Sequence, residues 1–130
     1  MGKNSTATVI VVDDDAFICR ALERQLQILG FNVLVFRNAE ELLAHEFPTD
    51  NACLLLDVYM PGMGGIELCQ SLIASGWHLP TILMSGQDDR RTRQMMREAK
   101  AIARLFKPFD EKSLLRAIRK ALPNPSGLPQ

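Results

Sequence analysis

The chain has 130 residues, enough for one domain with a buried core and too few for two ordinary ones. Fifteen Lys and Arg balance fifteen Asp and Glu, so no net field draws the whole molecule toward nucleic acid or an anionic membrane, and neither is expected as a direct partner. Cys19, Cys53 and Cys69 lie in apolar contexts with no C-x-x-C pair and no His at ligand spacing; they read as buried, reduced thiols, which suits a cytoplasmic protein.

Met1 to Thr8 is polar and small and lacks the apolar core of a signal peptide, and no apolar run approaches the ~20 residues of a membrane span. The first apolar run is Thr8 to Val12. After it, Ile18, Leu22, Leu26 and Leu29 form one stripe of a helix that stops at Gly30, a natural residue just past a helix end. The second run is Asn32 to Phe36. Asn38, with Glu41 three residues on, resembles a capping box opening a second helix. The third run is Ala52 to Leu56, followed by a helix from about Gly65 to Ser75 with Ile66, Cys69 and Ile73 inward. The fourth is Thr81 to Met84, with a polar helix over about Asp88 to Ala99. The fifth is Ile102 to Phe106, and Asp110 caps a last helix that buries Leu114, Leu115 and Ile118.

Most of these runs are continuous rather than alternating, as strands covered on both faces are. Short apolar runs alternating with helices predict an α/β domain, a five-stranded parallel sheet of order 2-1-3-4-5 with five helices on both faces. One domain is expected over residues 8–122. The Pro-, Ser- and Gly-containing stretch 123–130 reads as a tail or linker, either a frayed end or the start of a connection to an effector domain.

Polar residues interrupt the pattern at the strand ends: Asp13, Asp14 and Asp15 after the first, Asp57 after the third, Ser85 after the fourth, Lys107 after the fifth. In an open doubly wound sheet, ligands bind outside those ends where the strand order reverses, here between the first and third strands. Gathered carboxylates repel one another unless their pKa values rise or cations join them. An oxygen-only site without His or Cys suits Mg²⁺, and an Asp among such groups is a nucleophile able to form an acyl phosphate. Singly, each residue has a plainer role: Asp15 caps a helix, Ser85 turns the chain, Lys107 is solvated. Their joint placement at four strand ends points to a site.

From Val9 to about Leu122 the chain resembles the receiver domain of two-component response regulators, a flavodoxin-like fold. Val11-Val12-Asp13-Asp14-Asp15 resembles that family's acidic pair, Leu56-Asp57-Val58-Tyr59-Met60-Pro61-Gly62 its phosphoacceptor strand and loop, Met84-Ser85-Gly86 its hydroxyl position, and Phe106-Lys107-Pro108-Phe109 its lysine motif, which usually has a cis bond before the proline. The resemblance implies that Asp57 accepts a phosphoryl group from a histidine kinase or phosphotransfer protein. It implies that Asp14, Asp57 and the Tyr59 carbonyl bind Mg²⁺, Asp13 through water, and that Lys107 and Ser85 contact the phosphoryl oxygens. The loop after the fourth strand then moves inward and signals to a downstream protein or effector domain. Tyr59 and Gln87 take the positions that border the path of hydrolytic water, and the Tyr59 ring either shields the acyl phosphate or simply lies on the surface.

Two positions depart from the family pattern. Arg104 stands where the family usually has an aromatic residue on the fifth strand; either it makes a charged surface contact or the aromatic coupling is absent. Lys100 stands where a glycine is usual, and if the turn needs positive φ the lysine is strained there. These departures support an alternative, a pseudo-receiver acting as a constitutive interaction module. An Asp-nucleophile phosphatase is disfavoured, because Tyr59 occupies the place of its general acid. The chain is thus expected to be a switch rather than an enzyme turning over an external substrate. Apolar positions on the last two helices are compatible with a homodimer, and periodicity does not separate that from ordinary core.

Overall fold

The first strand shows why the sheet forms: all of β1 (Thr8–Val12) is buried, and its side chains supply two cores in turn. In the computed structural model, which describes residues 6–122, Val9 and Val11 face one apolar cluster with Leu22 and Leu26 of α1 (Ala16–Ile28) and Leu114, Ala117 and Ile118 of α5 (Glu111–Ala121). Ile10 and Val12 face the opposite cluster, with Leu42 of α2 (Ala39–Leu43), Leu68 and Leu72 of α3 (Gly65–Ala74) and Met96 of α4 (Arg90–Glu98). Period-two alternation therefore divides one continuous apolar run between two layers of helices.

The strands β2 (Asn32–Phe36), β3 (Ala52–Asp57), β4 (Thr81–Ser85) and β5 (Ala103–Phe106) complete a parallel sheet of order β2-β1-β3-β4-β5, as expected. The tail expected over 123–130 lies outside the described residues. No helix among the described residues is long and apolar enough to cross a membrane.

Helix ends follow their local chemistry. Asp15 caps α1 by accepting the Phe17 and Ile18 N–H groups, and Asp110 caps α5 through Ser113. Asn38 accepts the Glu41 N–H, but the Glu41 carboxylate accepts the N–H of Arg37 rather than that of Asn38, so the box is displaced by one residue. Gly30 adopts φ 101° just past α1. Several inward positions differ from expectation. Cys19 of α1 is buried, while Ile18 and the C-cap residue Leu29 are only partly so. In α3, Leu68 and Leu72 face the core beside Cys69, and Ile73 is 50% exposed. Leu115 of α5 is only partly buried, and Ile102 precedes β5, half exposed. Cys19, Cys53 and Cys69 are free and buried. Burial pushes the Cys19 and Cys53 thiols up to about 11 and about 12, so both stay protonated at neutral pH.

Candidate functional site

Strand register builds the site. Val12 pairs with Leu56, so the next residues, Asp13 and Asp57, emerge side by side from β1 and β3. Ser85 pairs with Phe106, which places Lys107 one step beyond β5 at the same edge. Asp13, Asp14 and Asp57 offer carboxylate oxygens within 4.8 Å of one another. The Lys107 ammonium donates to Asp13 Oδ2 at 2.7 Å and lies 3.3 Å from Asp57 Oδ1. Asp13 is fully buried and its other oxygen accepts the Asp15 N–H at 2.9 Å; Asp14 is exposed. The buried acid is thus held by the protein and the outer one faces solvent.

One ammonium does not neutralise three carboxylates. Burial, reinforced by the charge of Asp13, pushes the Asp57 carboxyl up to about 6 despite the opposing pull of Lys107. Burial would lower the Lys107 pKa, but its bond to Asp13 and the charges of Asp57 and Asp13 outweigh that and hold it above the ordinary lysine value. An oxygen-only cluster with this residual negative charge has the donor set of a hard divalent cation such as Mg²⁺.

The loop after β3 is pressed onto the strand end. A Cβ on Gly65 would come within 2.3 Å of the Asp57 carbonyl oxygen, and one on Gly64 within 2.5 Å of that of Val58. These glycines are positional requirements of the site. In the sequence Gly65 marks only the start of a helix; the close approach to β3 that requires glycine at 64 and 65 arises from tertiary packing. Thr92 was missed altogether: fully buried in the first turn of α4, its Oγ1 lies 2.6 Å from the Tyr59 hydroxyl. The Tyr59 ring, 39% exposed, is therefore tied to α4 at its far end.

Ser85 is fully buried at the end of β4, and its hydroxyl donates to the Gln87 carbonyl at 3.0 Å and accepts the Gln87 N–H at 2.9 Å. The Gln87 side chain lies on the exposed side of that turn. Arg104 is exposed on β5, opposite Leu83, with no ion-pair partner among the described residues. Lys100 has φ 61°, so the turn keeps the left-handed conformation that favours glycine. The Lys107–Pro108 bond is cis, as expected.

The model of the response regulator receiver domain matches residues 9–119. The chain belongs to the response regulator receiver family. Similar proteins include nodulation protein W of Bradyrhizobium diazoefficiens, 32% identical over 115 residues that make up 88% of this chain and 51% of that protein. The transcriptional regulatory protein FixJ of Azorhizobium caulinodans is 34% identical over 88% of this chain and 54% of its own length. Among solved structures, FixJ-N superposes with a TM-score of 0.82 at 31% identity, covering 93% of this chain and 97% of that one. The response regulator StyR gives 0.82 at 39% identity, covering 92% of this chain and 60% of that one. This receiver domain spans about half the length of the curated relatives it matches. Because FixJ is named a transcriptional regulator, the expectation of no direct nucleic-acid partner, drawn from zero net charge, loses its support. Net charge sums over a whole chain and says nothing of how charge is distributed on its surface.

Proposed function

We propose that this receiver domain is a phosphorylation-activated switch of a two-component or phosphorelay system, in which Asp57 takes a phosphoryl group from a histidine kinase or phosphotransfer protein. The observation that carries this reading is the convergence of Asp13, Asp14 and Asp57 at the β1 and β3 ends, with Lys107 bound across two of them. An Asp57 oxygen attacks the donor phosphorus, a P–O bond forms, and the donor's own bond to phosphorus breaks with its electron pair leaving on the donor. Asp14, Asp57 and the Tyr59 carbonyl would hold Mg²⁺, with Asp13 acting through water. When bound, the ion offsets carboxylate repulsion and the charge building on the phosphoryl oxygens. Lys107 gives a second positive group to those oxygens.

Ser85 is the proposed second donor. Its hydroxyl must leave the Gln87 carbonyl to reach a phosphoryl oxygen, so phosphorylation favours a different arrangement of the turn after β4. Arg104 does not supply an inward aromatic, so any movement at β5 must run through charge and strand position. The output is protein contact, in the cytoplasm, with a partner or effector domain; the protein turns over no external substrate beyond its own phosphorylation and dephosphorylation.

Intact mass after incubation with acetyl phosphate tests this reading. One added phosphoryl group that requires Mg²⁺ and is absent from Asp57→Asn is the expected result. No gain with acetyl phosphate or with a phosphotransfer protein would instead support the constitutive-module reading.

A further inference from the structure

Five arginines lie between residues 90 and 104, and among the described residues only Arg93 of these five takes an ion-pair partner. Its guanidinium meets Asp88 through two bonds, Nε donating to Oδ1 and Nη2 to Oδ2 at 3.0 Å. The same group lies over the Phe106 ring, 5.4 Å from its centre. The start of α4 does not need this arginine. Asp89 already caps the helix by accepting the Thr92 N–H, and the first turn holds no acid, so another cation there works against the helix dipole. Both contacts instead bear on the switch. Asp88 belongs to the turn after β4, one residue beyond Gln87, whose carbonyl and N–H hold the Ser85 hydroxyl. Phe106 pairs with Ser85 across the sheet and directly precedes Lys107.

We propose that Arg93 is a positioning residue: by gripping Asp88 and the Phe106 ring together, it latches the turn after β4 in the arrangement that keeps the Ser85 hydroxyl on Gln87. The inference rests on the switch reading and names a residue that regulates that site. Crowding does not hold the turn, since a Cβ on Gly86 would meet nothing within 4 Å. The tether is directional instead: a forked pair is lost when Asp88 shifts, and the ring contact is lost when the cation leaves the ring face. On its other side α4 is held by Thr92 to Tyr59, so the turn gives way before the helix does. Lysine would supply the charge at 93 but neither the fork nor the flat surface for the ring. Both groups of the pair are about half exposed, at 55% and 45%, and such contacts are individually weak. That suits a latch which a single phosphoryl group has to open.

The test uses the whole unphosphorylated chain and follows solvent exchange of the Gln87 amide by NMR, since that N–H is bound to Ser85 Oγ. Arg93→Gln should speed exchange about fivefold, as for loss of an exposed ion pair together with a cation–π contact. Asp88→Asn and Phe106→Leu should each speed it less, and Arg93→Lys should keep only part of the protection. Arg93→Gln/Asp88→Asn should match Arg93→Gln alone, because the two residues act through one contact. Exchange of the β1 amides should stay as in wild type, which separates release of the turn from a weaker fold. Acetyl phosphate should phosphorylate Arg93→Gln about fivefold faster than wild type, because the competent turn is more populated. Unchanged Gln87 exchange in Arg93→Gln, a Phe106→Leu variant equal to wild type, or phosphorylation no faster than a phosphorylatable wild type would each overturn the proposal. Exchange needs no chemistry at Asp57, so a flat exchange result contradicts the latch alone, whereas a missing phosphoryl gain in wild type contradicts the switch alone.

Discussion

At the residue scale, Asp57 is the costly group. Its carboxyl is raised from 3.8 to about 6 in the folded chain, so folding favours the protonated form. The associated stability is fully present below pH 4 and is lost as pH rises through about 6. Asp57→Asn removes that loss and should stabilise the metal-free protein at pH 8 by about 2–3 kcal/mol, from ~1.4 kcal/mol per pKa unit. The difference should fade on acidification to pH 4. Denaturant melts of both proteins across this range check it, and a variant no more stable at pH 8 would refute the stated cause. Tyr59 supplies a second prediction. Its ring is held at Thr92 beside the site, so Tyr59→Asn should shorten the lifetime of the phosphorylated protein several-fold, and Thr92→Val should shift it the same way. An unchanged lifetime in Tyr59→Asn would remove the shielding role. Asp13, Asp57, Ser85 and Lys107 were legible from the sequence because strand ends in a parallel sheet share an edge. The Tyr59–Thr92 bond was not, since it joins a loop and a helix 33 residues apart and no periodicity relates them.

At the element scale, strands were read more accurately than helix faces. A buried strand is marked by an apolar run, and β1 and β2 fall where those runs lie. In α3 the apolar residues at 66, 68, 69, 72 and 73 form two overlapping stripes. The contact of Gly65 with the Asp57 carbonyl, a tertiary restraint, fixes the helix where Leu68 and Leu72 turn inward. Gly65→Ala should therefore both destabilise the fold, by about 2 kcal/mol or more from forced overlap, and displace the loop after β3. Thermal melting and phosphorylation rate check the two effects. The turn after α4 gives the opposite case: Lys100 at φ 61° carries strain of about 1 kcal/mol that glycine lacks. Lys100→Gly should stabilise the protein by about 0.5 kcal/mol, part of the relief being returned as unfolded-chain entropy. Equilibrium unfolding would show a higher midpoint at unchanged m-value.

At the scale of the whole molecule, the chain is electrically divided: acidic residues outnumber basic ones in the part built from β1 to β4, which carries the carboxylate cluster, and the reverse holds for α4, β5 and α5. Composition conceals this, because balanced totals look the same whether charges are mixed or segregated. Phosphorylation would deepen the division by adding about −1.5 to −2 charge on the acidic side. Mg²⁺ held by the carboxylate cluster would act in the opposite sense, and as a proposed ligand of the folded state it should raise the melting temperature of wild type. Chelation should reverse the rise, and Asp57→Asn should show a smaller one. The central claim is that Asp57 itself forms the acyl phosphate. Borohydride reduction of the phosphorylated chain, followed by peptide mass analysis, tests it most directly, since reduction converts a phosphorylated aspartate into homoserine. Homoserine at position 57 alone is the predicted result; homoserine at 13 or 14, with Asp57 intact, would contradict the account.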